Sequence, residues 1–377
     1  MAAAMPSPRP GSICLSMIVR DEEDVVETAL GCVAPHVDYW VVVDTGSTDG
    51  TMDVVRRFFA REGIPGELHQ RPWRDFGHNR TEALEACRGK AEYAWVMDAD
   101  DRVVGTPPLG ELTADCHLLR YGPDPAYWRH QIFRNVLPWR YEGPVHEYAV
   151  CSEPCTVARL EGDYHVESRR LGARSRDSDT YARDARLLEA ALEHEPDNPR
   201  WTFYLAQSCF DAGNVLAALL WYSRRSGLGG WDEEVFHSLK RVAVCLDVLG
   251  APWDEVAEAY ARCSRTRPDR AEPLFELARG HRERGDAERG YAFARQAHAL
   301  PFPADDILFV ATDVYAWRAA DELAYCAYRA GRLAEAVEVW DELLGRGAVP
   351  SAERERIERN LAFTRALAAH RAVGAGA

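Results

Sequence analysis

The sequence lacks long apolar runs. Its 377 residues contain no stretch that approaches the roughly 18 consecutive apolar residues of a membrane-spanning helix. Residues 1–11 are rich in Pro and Ala, and they lack the apolar core of about 7–15 residues that a secretory signal needs. We therefore expect no membrane span, a disordered N-terminus over residues 1–11 and a cytoplasmic location.

The sequence also has fewer basic than acidic residues, and few of its cysteines are closely spaced in pairs. The 45 Lys and Arg residues face 60 Asp and Glu residues, and the net charge of −15 excludes nucleic acid as an expected partner. The ten cysteines mostly stand alone inside apolar segments, which is typical of reduced core thiols. Cys151 and Cys155 are four residues apart, but no second pair follows at zinc-finger spacing, so we expect no structural zinc.

The first part of the chain, to about residue 170, alternates short β-branched stretches with helical ones. This alternation predicts an α/β domain whose parallel strands are joined by right-handed crossovers. Later strand patterns have no helices between them, which predicts a mixed sheet on that side. The predicted strands are Ile13–Val19, Tyr39–Val43, Gly66–His69, Tyr93–Met97, Cys116–Tyr121, Tyr127–Phe133 and Thr156–Leu160, and the predicted helices are Glu22–Ala34, Thr51–Arg61 and Gly77–Cys87.

The second part of the chain, from about residue 177, is a nearly continuous helical pattern rich in Ala, Leu and Arg. Turn glycines recur at roughly 35-residue intervals, with one longer unit near Pro301–Ala316. These helix pairs resemble tetratricopeptide repeats, and an irregular helical bundle is the alternative. We predict a helical-repeat domain over residues 173–366 and a flexible tail over residues 367–377. The turn glycines are Gly213, Gly250, Gly285 and Gly331.

Acidic residues follow the ends of the predicted strands. Asp44 ends an apolar strand, where a carboxylate needs a hydrogen-bonding partner; either a ligand or the glycine turn that follows could supply one. Asp98, Asp100 and Asp101 directly follow another strand, and like charges so close require a cation or full solvation. Carboxylate oxygens suit Mg²⁺ or Mn²⁺. In an open parallel sheet such strand ends form the ligand crevice.

Three of these segments together resemble the family 2 glycosyltransferases with the GT-A fold. The segments are Leu15–Glu23, Val41–Thr51 and Val96–Asp101, and the resemblance covers about Ser12 to Arg170. It is strongest to a bacterial cytosolic group that carries tetratricopeptide repeats behind the catalytic domain. The resemblance implies a Rossmann-like mixed-sheet GT-A domain over residues 12–172, followed by the all-α repeat domain.

The resemblance also implies roles for individual residues. Asp44 would read the uracil or ribose of a UDP-sugar, and Asp98-Ala99-Asp100 would be the D-x-D motif that contacts the sugar and the metal-bound diphosphate. Arg80 would hold diphosphate or base, with a surface ion pair as the alternative; Asp21 and Thr81 depart from the family's Asn at their positions. The donor-binding residues so assigned are Val19, Glu22, Asp44, Arg80, Asp98, Ala99 and Asp100.

The stretch Gly143-Pro144-Val145-His146-Glu147 resembles the family's Gly-x-Val-His-Glu. Transfer with inversion needs a base that takes the acceptor's proton, and we assign that role to Glu147. His146 is the catalytic neighbour and contacts either the diphosphate or, with Asp98 and Asp100, the Mn²⁺ or Mg²⁺ ion; His146 and Glu147 could also exchange roles. His165 competes with His146 for the third ligand position. Trp73, Trp128 and Trp139 are candidates for stacking on sugar rings, with core packing as the alternative.

The sequence therefore predicts a metal-dependent glycosyltransferase that moves a sugar from a nucleotide-sugar to a peptide, natural-product or saccharide acceptor. The helical repeats would position the acceptor, and a homodimer could form through them. One alternative is a sugar nucleotidyltransferase, although Ile18–Glu23 contains no glycine for a triphosphate loop. The other is a binding scaffold whose front domain is catalytically inactive.

Overall fold

The computed structural model describes residues 8–122, 127–169, 171–172 and 179–374. These residues form two compact units, one that ends at His194 and one that begins at Glu195. Within the described ranges, no helix is both long and apolar enough to cross a membrane. The predicted disordered N-terminus lies largely outside the described residues.

The first unit is an α/β domain built on a mixed sheet. In the described residues nine strands join, with the order β3-β2-β1-β4-β7-β6-β11-β5 and with β10 beside β6, while β8 and β9 form a separate hairpin. The strands are β1 (Ile13–Val19), β2 (Tyr39–Asp44), β3 (Gly66–Gln70), β4 (Tyr93–Val96), β5 (Asp101–Gly105), β6 (Cys116–Tyr121), β7 (Tyr127–Arg134), β8 (Trp139–Glu142), β9 (Tyr148–Cys151), β10 (Val157–Arg159) and β11 (Tyr164–Ser168). The helices are α1 (Val26–Val33), α2 (Thr51–Glu62), α3 (Phe76–Cys87) and α4 (Thr180–His194).

Strands β3, β2, β1 and β4 run parallel, and β7 pairs with β4 in the antiparallel sense. The prediction of a parallel sheet with one mixed side is therefore confirmed. The central strands are apolar at nearly every position because both faces of the sheet are covered. Leu15 and Met17 pack in one core with α1 and α2, whereas Cys14 and Val41 pack on the other face with α3.

The first helix begins later than the sequence predicted. The prediction placed its start at Glu22, but α1 begins at Val26. The backbone amides of Asp21 and Glu22 donate instead to Ser47 Oγ (3.0 Å) and Thr51 Oγ1 (2.8 Å). These bonds hold the chain after β1 against the loop after β2.

The second unit is entirely helical in its described residues. Each helix packs against its neighbours in sequence, and α9 also packs against α11, which is the arrangement of a helical repeat. The helices are α5 (Pro199–Asp211), α6 (Val215–Gly227), α7 (Asp232–Val248), α8 (Trp253–Thr266), α9 (Glu272–Glu283), α10 (Ala287–Ala299), α11 (Ala319–Arg329), α12 (Leu333–Gly345) and α13 (Ser351–Gly374). Helix α4, which the sequence analysis placed in the repeat, belongs to the first unit.

The four recurring glycines are the turns within the helix pairs. Gly213, Gly250, Gly285 and Gly331 have φ of 80°, 76°, 84° and 77°, a left-handed conformation that glycine adopts without strain. The longer unit is also present as predicted: residues 300–313 connect α10 to a π-helical turn at Val314–Arg318 that leads into α11. The predicted tail differs from the structure, because α13 continues to Gly374; its many alanines favour helix.

Candidate active site

The ends of β1 and β2 are tied together at one edge of the sheet. Asp44 is buried, and its carboxylate accepts hydrogen bonds from the amides of Gly46 (3.1 Å) and Ser47 (3.2 Å). The glycine turn therefore supplies hydrogen-bond donors to the carboxylate of Asp44. This is one of the two explanations that the sequence left open for this residue. Val19 pairs with Asp44 in the parallel ladder, and its carbonyl accepts the amide of Thr45 (3.0 Å).

A buried arginine brings together two of the predicted site residues. The Nε of Arg80 donates to Glu147 Oε1 (2.6 Å), and its terminal nitrogen donates to Asp98 Oδ1. The side chain of Arg80 is 9% exposed and that of Glu147 is 10% exposed. A surface ion pair is therefore the wrong description of Arg80, because the guanidinium is enclosed between carboxylates from two different loops.

Arg129 is a member of this cluster that the sequence analysis missed. It lies on β7, and its guanidinium approaches Asp98 Oδ2 (3.6 Å) and covers the ring of Tyr121. Burial opposes ionisation of Asp98, but Arg80 and Arg129 together lower the pKa of Asp98 to about 2. No motif marks Arg129; its place depends on the antiparallel pairing of β7 with β4, which residue spacing does not reveal.

Asp100 is held by the chain that follows β11. Its Oδ2 accepts the amides of Leu171 (2.9 Å) and Gly172 (3.1 Å), and its carbonyl accepts Nε of Arg169 (3.0 Å). A Cβ on Gly172 would lie 2.8 Å from Glu22 Oε1. Glu22, after β1, and Asp100, after β4, therefore both lie beside Gly172. Ala99, between the two aspartates, is buried.

Asp101 is a structural residue at the start of β5. It is fully buried, and Oδ2 accepts the hydroxyl of Tyr121 (2.8 Å), which in turn accepts Nε2 of Gln131 (2.6 Å). Burial and the nearby charge of Asp98 raise the pKa of Asp101 to about 7. The interpretation of this acidic group as a solvated turn is wrong at Asp101, because the strand carries its carboxylate into the core.

The loop between β8 and β9 carries Glu147 and is fastened to α3. The amide of Phe76 donates to the carbonyl of Pro144 (3.1 Å), and the amide of Tyr141 donates to Thr81 Oγ1 (2.9 Å). A Cβ on Gly77 would lie 2.4 Å from the carbonyl oxygen of Gly143. Thr81, which departs from the family pattern, therefore helps to hold the loop that positions Glu147.

The two candidate histidines have different environments. His146 precedes Glu147 and has a left-handed backbone, with φ of 54°. His165 pairs with Val104 across β5 and β11, whereas Asp101 pairs with Ser168. Since neighbouring positions on a strand point to opposite faces, His165 projects from the face opposite Asp101, and its Nε2 lies 3.5 Å from Glu167.

The candidate stacking tryptophans also differ. Trp139 is buried against Phe133, so core packing is the better description of it. Trp73 packs edge-on against Phe76, and Arg159 covers the ring of Trp128.

The carboxylates provide oxygen ligands suited to a hard divalent cation. Both backbone amides contact Oδ2 of Asp100, and its Oδ1 accepts no hydrogen bond from any residue that the structure describes. Asp98 is ionised but already paired with two guanidiniums. Across the described residues, no group of three or more His, Cys, Asp or Glu side chains is arranged to hold a metal ion. Oxygen donors suit Mg²⁺ or Mn²⁺, but the described side chains are not arranged as a metal site, so the proposed ligand set stays a prediction.

Comparison with known proteins finds a family match in the front part of the chain. Residues 15–104 match the sequence model of the family described as glycosyl transferase family 2. A TPR repeat-containing protein of Synechococcus elongatus is 25% identical over 310 residues, which cover 76% of this chain and 75% of that protein. The SPbeta prophage-derived glycosyltransferase SunS of Bacillus subtilis is 23% identical over 219 residues. That match covers 52% of this chain and 49% of SunS, so it spans about half of the relative.

Among solved structures, the similar chains include BtubC from P. vanneervenii and MamA. BtubC has a TM-score of 0.40 and 16% sequence identity, and the match covers 52% of this chain and 85% of BtubC. MamA has a TM-score of 0.37 and 13% identity, and the match covers 47% of this chain and 94% of MamA.

Proposed function

We propose that the chain is a glycosyltransferase that moves a sugar from a nucleotide-sugar, a UDP-sugar in our assignment, to an acceptor. The observation that carries this proposal is the family 2 match over residues 15–104, the segment that contains β1 to β4 and the acidic residues at their ends. The similarity to the glycosyltransferase SunS supports it. In open parallel sheets the ligand crevice lies at the carboxyl ends of the strands, so we assign the nucleotide to the ends of β1 and β2.

The residues of this crevice divide into two groups. Val19, Glu22 and Asp44 would hold the nucleoside, because they lie where β1 and β2 end. Asp98, Ala99 and Asp100 would face the sugar and the diphosphate, with Arg80 contributing positive charge to the leaving group. Mg²⁺ or Mn²⁺, bound by Asp98, Asp100 and His146, would neutralise charge on the departing diphosphate.

Glu147 is our candidate for the base of an inverting transfer. The base would take the proton of the acceptor nucleophile as that nucleophile attacks the anomeric carbon. The hydrogen bond from Arg80 Nε to Glu147 fixes the position of the carboxylate beside the same guanidinium that contacts Asp98. The ring of Tyr141, on β8, lies against the guanidinium of Arg80.

The acceptor is a peptide, a natural product or a saccharide, and we assign its positioning to the helical unit. A homodimer through that unit is part of the same proposal. Light scattering on the purified chain would measure its mass, and a monomer at all working concentrations would rule the dimer out.

The substitution Asp100→Asn tests the proposed function. It keeps the shape of the side chain but removes charge from the proposed metal ligand, so we expect loss of Mn²⁺-dependent UDP release across a panel of UDP-sugars. Asp53→Asn, at an exposed residue of α2, is the matched control and should retain activity. Undiminished UDP release by Asp100→Asn, with an unchanged circular dichroism spectrum in both variants, would refute the assigned role.

A further inference from the structure

The sheet face that α3 covers continues onto β6 and β7. Cys116 of β6 pairs with Phe133 of β7, and both pack with α3 in one core. Because successive residues of a strand alternate between its faces, Leu118 and Arg120 lie on the same face as Cys116. Arg120 pairs with Trp128 of β7, so Trp128 belongs to this face too.

Arg159 reaches the same place from strand β10. It pairs with Leu118, and its guanidinium carbon lies 5.2 Å from the centre of the Trp128 ring. Since β7 pairs with one edge of β6, β10 lies along the other edge. The side chain of Arg159 therefore crosses β6 to reach Trp128, and two arginine side chains, Arg120 and Arg159, lie beside this indole on one face.

Neither of these two arginines has an acidic partner in the part of the chain that the structure describes. The Nε of Arg120 is buried and donates no hydrogen bond there, and Arg159 is exposed. Arg102, on the edge strand β5, is by contrast paired with Glu167 at 2.8 Å. Two neighbouring cations repel each other, and buried polar atoms are rarely left unpaired in folded proteins. Both observations point to an anion that binds at this face.

The indole restricts the kind of anion that fits. Arginine binds the oxygens of a carboxylate or a phosphate group through parallel hydrogen bonds. Trp128 is half-buried, and its ring offers apolar surface to a ligand beside the cations. A sugar that carries an acidic group has both an oxyanion and an apolar ring face, whereas a small inorganic anion would leave the indole unused. The three side chains together therefore favour an acidic sugar.

We propose that Arg120 and Arg159, together with Trp128, bind the acidic group and the ring of a saccharide that serves as the acceptor. The carboxylate or phosphate would lie between the two guanidiniums, and the sugar ring would lie beside the indole. The acceptor role rests on the proposed function. The position supports this role, because the loop that carries Glu147 is fastened to α3, which covers the same face of the sheet.

Titration calorimetry on the full chain tests this site with three sugars. Methyl glucuronide carries a carboxylate, glucose 6-phosphate carries a phosphate, and methyl glucoside is the neutral reference. We expect at least one of the two acids to bind at least tenfold more tightly than methyl glucoside at low salt, and its affinity to fall as salt is added. Equal affinity of all three, or no binding of any at millimolar concentration, would overturn the proposal.

Two further probes test the class of the ligand. Inorganic phosphate carries the anion without a sugar, and the peptide acetyl-Glu-Glu-Glu-amide carries carboxylates on a different backbone. We expect both to bind more weakly than the preferred acidic sugar. Tighter binding of either probe would overturn the assignment of the site to a saccharide.

Substitutions at the two arginines locate the site. Arg159→Gln, at an exposed residue, should reduce the preference for the acidic sugar at least threefold without loss of the fold. Addition of Arg120→Gln should remove the preference. Arg102→Gln, at the cation paired with Glu167, is the matched control and should leave the preference unchanged. Retained preference in the double variant would place the site elsewhere.

UDP release from a panel of UDP-sugars separates this proposal from the proposed function. We expect the preferred acidic sugar to increase UDP release by the parent chain and to have no such effect on the double variant. UDP release in the absence of any binding of acidic sugars would overturn the acceptor site and leave the transferase activity in place. Binding of an acidic sugar without UDP release from any donor would overturn the acceptor role together with the proposed transfer, and only the binding site would stand.

Discussion

At the scale of single residues, Arg80 organises the candidate active site. Its guanidinium contacts Asp98 after β4 and Glu147 in the β8–β9 loop, two elements that are distant in sequence. Enclosed charges are stable only while each has its partner. Removing a side chain of this cluster is therefore expected to disturb the fold as well as the chemistry.

We expect Arg80→Met to destabilise the first unit strongly. The substitution leaves the carboxylates of Asp98 and Glu147 without this counter-charge, and breaking a buried ion pair costs about 3–5 kcal/mol. Urea unfolding followed by circular dichroism would measure the loss. Arg56→Gln, which removes an exposed pair with Asp53, should change stability by less than about 1 kcal/mol. Similar losses in both variants would contradict the enclosed position of Arg80.

His237 predicts a dependence of stability on pH. Burial, with added repulsion from Lys240, Arg241 and Arg270, lowers the pKa of His237 well below its usual value. In the unfolded chain the imidazole of His237 takes up a proton at about pH 6.5. In the folded chain it takes up that proton only at lower pH. The contribution of neutral His237 to the free energy of unfolding is therefore complete above pH 6.5 and is lost as the pH falls below that value.

We expect His237→Phe to make the thermal midpoint less sensitive to pH between about 7 and 5. The exposed His370 provides the control, and His370→Gln should leave the sensitivity of the parent chain intact. Melting curves at a series of pH values would compare the three proteins. Parallel slopes for His237→Phe and the parent would show that His237 is not held neutral.

At the scale of elements, the close approach of α3 to the β8–β9 loop fixes the position of Glu147. We expect Gly77→Ala to lower stability by about 1–3 kcal/mol, because the new methyl group would meet the backbone of Gly143 at 2.4 Å. UDP release should fall as well, since the displaced loop carries Glu147. Gly31→Ala in α1 meets nothing within 4 Å and should instead stabilise by about 0.5–1 kcal/mol.

An unchanged melting midpoint of Gly77→Ala would show that the loop can move away from α3 at little cost. Reduced UDP release without a change in stability would indicate that only the position of Glu147 had shifted. Both readouts are therefore needed on the same preparation.

The elements that sequence reasoning found are those with a clear local pattern. Apolar strands β1, β2 and β4 and the turn glycines were read directly, because their residues alone determine the local structure. Strands β5 and β11 were missed because Asp101 and His165 resemble loop residues, and only their pairing makes them strands. Arg129 and the Asp100 contact with Leu171 depend on long-range packing, which no residue spacing encodes.

At the scale of the whole molecule, the division at His194 and Glu195 separates two kinds of stability. The sheet of the first unit depends on pairings between distant segments, such as β5 with β11. In the helical unit each helix packs mainly on its neighbours in sequence, and such arrays derive their stability from nearest-neighbour contacts.

We therefore expect residues 195–377, expressed alone, to fold into a helical protein. The apolar cores of this unit, such as the one around Tyr260 and Phe275, are formed by its own residues. Circular dichroism should show helix and a cooperative melt, and the full chain under the same conditions is the reference. An unfolded fragment would mean that the helical unit requires residues before Glu195.

The turn between β4 and β5, which carries Asp98 and Asp100, is fixed at both of its ends. Val96 anchors the turn on one side, and on the other Asp101 is locked into the sheet through Tyr121 and Gln131. The entropy of orienting the turn is thus lost once, at folding, rather than at each encounter with a ligand. We therefore expect affinity at this turn to depend in part on Gln131, a side chain that the ligand itself need never meet.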